Sequence, residues 1–513
     1  MISIKYKYAC VNRTRMMDRI DIDPKILGDV LADLCNTPGP TQACVKLSER
    51  DIRIEGNFPL ENKIAEIVSN INEELGREGK GCLQIIRYMG NLLIISGLAK
   101  FTKSVGESKI LEASELGATE VEKIKSIPVT FGAHLDEITY IVSRKMTVGD
   151  EDVWEVLPIC NPPKRIEKIK PITAANGAIK LFIGEIIRPK CVILGYRRRE
   201  LEIIGSGKLN LVWNTKDLSL NGDDIIIKDI IGKEKIVKLS EIIKQGRELD
   251  TDLTHAKLAR YLHLKVEKLE KDKDIREGDM VIMAYERWDE DDPHVLESNA
   301  LDDRVGCIAT IYAVKELGRR NICSKAVLTS SEEGVPLDVS WGRLVQSCYE
   351  KFCENDGITL VCDGINGADI GRINYYGNEK EIIDFTKKET KGIKELKEAI
   401  VIPYTANGKG GGDLGIFSLM RDEILPNLSK VYPEEKVAAT TTDYTSRSFE
   451  VKIMDRWTLI GFVQWTCGIP RDLDSVCHNK ETVNILQIIN IIRTLVGFAS
   501  YIHSFSESPT KLN

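Results

Sequence analysis

NALDDRVGCIATIYAVKELG (299–318), KAVLTSSEE (325–333), WGRLVQSCYEKFCEN (341–355) and ITLVCDG (358–364) decide the fold. The first stretch sets Ile308, Ile311, Tyr312 and Leu317 on one helical face, the second is an apolar run with strand character, the third is again helical and the fourth again a strand. Alternating strands and helices imply a sheet covered by helices on both faces. In such sheets a ligand binds beyond the carboxyl ends of the strands. Both strands in this stretch finish on acids, Glu332 and Glu333 after the first and Asp363 after the second, while Asp302 stands where the helix begins.

The pattern continues in both directions. Toward the C-terminus, GGGDLGIFSLMRDEIL (410–425) opens a helix, TLIGFVQWTCGIP (458–470) is a strand, and a helix over 482–502 closes the domain. Toward the N-terminus, IPVTFGAHLDE (127–137) is a strand that ends in His134 and Asp136. Residues 24–100 begin with a helix, pass through the turn-rich CNTPGPTQ (35–42) to a second helix near 60–78, and reach the strand NLLIISGLA (91–99). From about 141 the texture changes to short apolar runs separated by Gly, Asn and Asp, such as CVILGY (191–196) and LEIIGSG (201–207), which read as a small β-rich module. A charged stretch over 238–273 reads as helical, and GDMVIMAY (278–285) as a strand.

With 513 residues the chain exceeds one ordinary core. Its net charge of −7 argues against a nucleic-acid partner, which favours a basic face. The N-terminus has no apolar core of the kind a secretory leader carries. The most apolar segment, 483–502, carries Asn484, Gln487, Asn490, Arg493 and Thr494 at every third or fourth position, the mark of an amphipathic helix packed on a sheet rather than one facing lipid. The 13 cysteines are scattered without a C-x-x-C pair, as expected of reduced thiols in the cytoplasm, most of them in the core.

His134, Asp302, Glu333, Asp363 and His478 form an ordered set of potential ligands, since two imidazoles and three carboxylates can hold a pair of divalent cations. Each has a plainer reading. Asp302 and Asp303 suit helix capping, with Asp303 a cap or a partner of Arg304. Asp363 can begin an Asx-turn. His478 is one of six histidines and Glu481 can cap the helix that follows it or buttress the imidazole. Glu332 and Glu333 are harder to explain plainly, because adjacent acids at a strand end repel unless a cation neutralises them.

Taken in order, TPGPTQ (37–42), MGNLLI (89–94), GAHLDEITYIV (132–142), REGDMVI (276–282), ALDDRVGC (300–307), SSEEGV (330–335), VCDG (361–364), GGGD (410–413) and GIPRDLDSVCHNKE (468–481) resemble the glutamyl and tetrahedral aminopeptidase family of dinuclear metallopeptidases, some of which carry an endoglucanase label. The resemblance implies an α/β fold, a central mixed sheet flanked by helices with an inserted small β-rich domain. It implies a discontinuous catalytic domain over 1–142 and 288–513, and an inserted domain with a helical tail over 143–287 that serves oligomerisation and access. It further implies that Asp302 bridges two metal ions, with His134 and Asp363 completing one site and Glu333 and His478 the other. Glu332 would be the general base and Asp136 its helper. The ions would be zinc or cobalt, with manganese compatible, the substrates peptides, and the assembly a homo-oligomer without membrane or nucleic acid.

Two departures stand out: GGGD replaces the family's Gly-Thr-Asp, and 414–467 is longer than expected. The competing readings are a catalytically silent scaffold or peptide binder and a related deacylase or carboxypeptidase. Glu137-Ile138 after the His-x-Asp, in place of Ser-Pro, separates the chain from the aspartyl aminopeptidases.

Overall fold

The computed structural model describes residues 19–40, 46–47, 52–53, 59–97, 110–148, 150–158, 166–173, 179–197, 200–214, 218–221, 224–228, 234–238, 260–283, 286–288, 292–298, 300–330, 339–354, 357–366, 372–376, 382–384, 400–401, 413–432, 437–439, 457–466 and 481–506. Eleven strands among them make the main sheet. Its centre is parallel: Trp457–Thr466, Ile358–Asn366, Val129–His134 and Ser324–Thr329 lie side by side in that order. Antiparallel strands extend both sides, Asn91–Ser96 and Gln84–Tyr88 beyond Ser324–Thr329, and Glu481–Asn484 and Val295–Ser298 beyond Trp457–Thr466. The sheet is mixed, as the family resemblance implied.

Val129–His134 and Ser324–Thr329 are buried at every position, as a parallel strand covered on both faces requires. Side-chain alternation sorts them into two cores. Leu92, Ile94, Ala326 and Leu328 face the helices Pro24–Cys35, Pro59–Arg77, Leu301–Arg319 and Ile485–Ser506. Leu93, Ile95 and Val327 face Ala118–Lys125 and Val339–Phe352. Lys325 is fully buried among them and its Nζ donates to the Ile124, Lys125 and Phe352 carbonyls at 2.8–3.1 Å, closing the C-terminal ends of both helices on that face. Burial holds that ammonium below its ordinary pKa.

Leu301–Arg319 is buried almost all round, because it lies on the parallel strands and beneath Ile485–Ser506. The polar positions of the latter helix are buried too, contrary to the amphipathic expectation. Gln487, Asn490 and Thr494 are 2% exposed or less, and Arg493 donates to the Ile20 carbonyl at 3.1 Å while lying over the Tyr432 ring. The stripe binds neighbouring elements of the fold. Ile485–Ser504 is long and apolar enough to cross a membrane, and 83% of its most apolar window is buried within the fold. Glu481, expected as a helix cap, begins the Glu481–Asn484 strand instead.

Residues from Thr139 to Met283 supply a second sheet. Glu200–Asn214, Arg260–Leu269, Glu151–Pro158, Thr139–Val148, Met280–Met283 and Ile179–Arg197 pair antiparallel in that order, and the last pairs back to the first. A seventh strand, Ile166–Thr173, pairs with Ile179–Arg197 alone and stands outside this ring as an edge. The helix expected over 238–273 is corrected here: Arg260–Leu269 is a strand, and residues 239–259 lie outside the described residues. Its charge misled the reading. Leu262 and Leu264 point inward at a period of two, while Lys265 reaches Glu151 of the neighbouring region at 2.7 Å.

His263 of this strand is 3% exposed and its Nε2 accepts from the Asn210 amide at 3.1 Å. Burial lowers its pKa from 6.5 to about 4. The unfolded chain therefore takes the proton first as pH falls, so stability is whole above pH 6.5 and lost down to about pH 4. The His263→Gln variant should escape an acid loss of about 2–3 kcal/mol, read as the change in denaturation midpoint between pH 7 and pH 4.5 against the parent.

Candidate metal centre

His134 is the last residue of its strand and pairs in register with Thr329. On the other side the register Gly132↔Val361 carries forward to set Asp363 level with His134. Asp302 comes from above, in the first turn of Leu301–Arg319, where its extended backbone (φ −86°, ψ 108°) precedes the helix proper. One atom from each of the three, an imidazole nitrogen and two carboxylate oxygens, lies within 4.8 Å of the others. His134 Nε2 stands 3.4 Å from Asp302 Oδ1.

The imidazole is set by its other nitrogen. His134 Nδ1 lies 3.2 Å from the Asp136 carbonyl, which can only accept, so the proton belongs on Nδ1 and the Nε2 lone pair turns to the carboxylates. The Asp136 carboxylate lies 3.6 Å from the same Nδ1 and is 1% exposed. A lone pair and a carboxylate oxygen at this separation repel unless a cation lies between them. That is the donor set and spacing of a divalent-cation site, and the residues present fit such an ion. Asp363 Oδ1 accepts from the Gly364 amide at 2.8 Å.

Asp303 is the cap of the two alternatives. Its Oδ1 accepts from Gly306 N at 2.8 Å and its Oδ2 from His134 N at 3.2 Å, so it ties helix start to strand end. A methyl at Gly306 would overlap this carboxylate. Burial drives its pKa well above the usual carboxylate range. Arg304 does not pair with Asp303; fully buried, it donates to Glu137 Oε1 at 3.2 Å and to the Leu34 and Thr37 carbonyls at 2.9 and 3.3 Å. Glu137 Oε1 also accepts from Gly39 N at 2.9 Å, and Glu137 N donates back to Gly39 O at 3.0 Å. The Thr37–Pro40 turn is thus strapped beside the metal cluster. Burial raises Glu137 to about 7 against the pull of Arg304.

Glu332, Glu333 and His478 lie outside the described residues. Two residues beside the site carry no local signal in the sequence: Arg304 as a strap, and Glu61 in the first turn of Pro59–Arg77. Glu61 reads as ordinary helix-end acid, yet it is 3% exposed and ion-paired to Arg87. With Gly39, Leu135, Asp136, Leu201 and Ser330 it lines a pocket adjoining His134's supporting loop. Asp413 of GGGD caps the Leu414–Leu419 helix, accepting from Gly415 N and Ile416 N at 2.7 and 3.0 Å.

No family model matches the chain. Its structure is similar to an aminopeptidase from the archaeon Desulfurococcus kamchatkensis, with a TM-score of 0.50 at 13% identity over 96% of this chain and 99% of that one. A TET aminopeptidase from a marine-sediment Thaumarchaeota archaeon gives 0.49 at 10% identity over 93% and 96%, and yeast aminopeptidase 1 gives 0.46 at 13% over 94% and 100%. The chain therefore shares the fold of the Desulfurococcus aminopeptidase. One curated protein, the tRNA modification GTPase MnmE of Shouchella clausii (strain KSM-K16), is 29% identical over 118 residues, 23% of this chain and 26% of that protein. That short match covers about a quarter of its length and carries no activity across.

A Cβ on Gly39 would lie 2.5 Å from both Arg304 Nη2 and Leu60 Cδ2. Gly39→Ala should therefore destabilise the protein by about 1–3 kcal/mol and weaken metal retention with it, measured by thermal melting and by bound metal after dialysis.

Proposed function

We propose that this chain is a metal-dependent aminopeptidase that removes the N-terminal residue from peptides. The observation that carries the reading is the meeting of His134, Asp302 and Asp363 at the carboxyl side of the parallel strands, in a chain whose fold is that of an aminopeptidase. Asp302 would bridge two ions, His134 and Asp363 would complete one position and Glu333 and His478 the other. Bound there, zinc or cobalt would supply Lewis-acid charge and lower the pKa of a water toward neutrality, to about 7 for zinc. Glu332 takes a proton from the attacking water and returns it to the leaving amine. Asp136, through its carbonyl, holds His134 in the tautomer that presents Nε2, and is a positioning residue. Asp303 holds the His134 backbone, so that the imidazole and Asp302 move as one unit.

The inserted domain, taken as 143–287, would mediate assembly into a homo-oligomer and shape access to the site. Three large apolar side chains on its closed sheet, Leu157, Ile203 and Leu269, are 45–50% exposed and suit such a contact. The cytoplasm is the expected compartment, in keeping with free cysteines among the described residues, six of them buried.

Protein reconstituted with zinc or cobalt should hydrolyse aminoacyl chromogenic substrates and leave their N-acetylated counterparts intact. Cleavage of the blocked forms alone would mark a deacylase, and cleavage of neither a silent scaffold. Glu332→Gln should keep its metal and lose about a hundredfold or more in kcat. Asp302→Asn should lose metal as well as turnover, and a variant with full metal occupancy would remove Asp302 from the ligand set.

A further inference from the structure

We propose that the Cys307 thiol is a positioning residue for the metal ligand His134, acting by holding its main-chain carbonyl; this rests on His134 being a ligand, as in the aminopeptidase reading. Among the described residues, the ladder between Val129–His134 and Ile358–Asn366 runs from Val129↔Ile358 to Gly132↔Val361. On the opposite side, Leu135 N donates to Thr329 O. Main-chain groups alternate sides along a strand, so the N–H and C=O of His134 face the side where that ladder has ended. Buried main-chain groups take partners from elsewhere when a ladder stops. Here both come from Leu301–Arg319: Asp303 Oδ2 accepts from His134 N at 3.2 Å, and Cys307 Sγ donates to His134 O at 3.0 Å. A carbonyl oxygen only accepts, so the thiol is the donor.

Cys307 is 0% exposed and stands one turn on from Asp303. With Asp302 Oδ1 3.4 Å from His134 Nε2, the start of one helix touches the histidine at its amide, its carbonyl and its ring. The carbonyl contact has its own consequence. The group that sets the ring is the Asp136 carbonyl, 3.2 Å from Nδ1 and two residues further along. A hydrogen bond on His134 O fixes the peptide plane that leads there, which the Asp303 contact on the amide does not. The rest of the Cys307 side chain belongs to the apolar core. A thiol suits such a place, because it packs as a small hydrophobe and still carries a weak donor.

The test is a cobalt(II) titration of the full-length protein, with affinity read by competition against a chromophoric chelator and geometry by the visible absorption of the bound ion. Cys307→Ala, which removes the donor, should weaken cobalt binding about tenfold and alter the absorption. Cys307→Ser keeps a donor and should stay within about threefold of the parent. The order of the two variants separates a donor from a filler: were the thiol only filling space, the hydroxyl would be the costlier replacement in an apolar place. An alanine variant that matches the parent in affinity and spectrum overturns the proposal, as does a serine variant that binds no better than alanine. A thiolate-to-cobalt charge-transfer band that Cys307→Ala abolishes would make Cys307 a ligand and overturn it too. Where the alanine variant does not fold, serine decides: parent-like affinity and spectrum support the proposal, and a tenfold loss overturns it. A parent that takes up no cobalt removes the ligand role of His134 and this inference with it. A parent that binds cobalt and cleaves no peptide loses only the aminopeptidase reading, and the two variants still decide the thiol.

Discussion

Negative charge packed around one imidazole is the constraint on which this structure turns. Asp136, Asp303 and Asp363 are 8% exposed or less, and Asp302 closes over His134 from the helix above. Carboxylates this close cannot all stay ionised in a buried place without compensation. The chain compensates some of them itself. Asp303 takes two backbone N–H groups and rises well above its ordinary pKa. What is left, a lone pair and two carboxylates turned toward one another, calls for an added cation. The helix N-terminus at Leu301 contributes in the same sense, since its dipole favours negative charge.

The fold exists to hold that arrangement. A helix as deeply buried as Leu301–Arg319 keeps its first turn in place only if something fixes its axis, and both sides do so. The parallel strands lie below, and Ile485–Ser506 lies above with its polar groups turned to the interior. Lys325 braces the opposite face, where it joins the ends of two helices behind the strand whose last residue, Thr329, pairs with His134. Packing on one face and a buried ammonium on the other leave little freedom at the strand ends, where a cluster of ligands must keep its spacing.

Much of this was legible in residues 299–364, because an apolar run of β-branched residues ending in acids and a helix of mixed size leave few alternatives. The order of His134, Asp302 and Asp363 was legible for the same reason, since strand ends meet in an open α/β sheet. Two kinds of position were not. Charge hid the Arg260–Leu269 strand, where lysines and glutamates overrode a period of two that only Leu262 and Leu264 carry. The roles of Arg304 and Gly39 depend on a turn more than 260 residues away in the chain, and no local pattern announces a side chain that reaches across such a distance. The polar stripe of Ile485–Ser506 was visible but not its direction, because periodicity gives a face and only packing decides whether that face meets water or protein.

Two buried acid–arginine pairs differ in how fully the arginine meets the acid. Glu137 Oε1 takes both the Gly39 amide and Arg304, and the guanidinium goes on to two further carbonyls. That pair holds a turn. Glu61 has Arg87 on one oxygen only, its guanidinium is shared with Glu112, and the second oxygen lies buried on a residue that lines a pocket. A structural pair gains by saturating its acceptors, since each one left open costs desolvation without return.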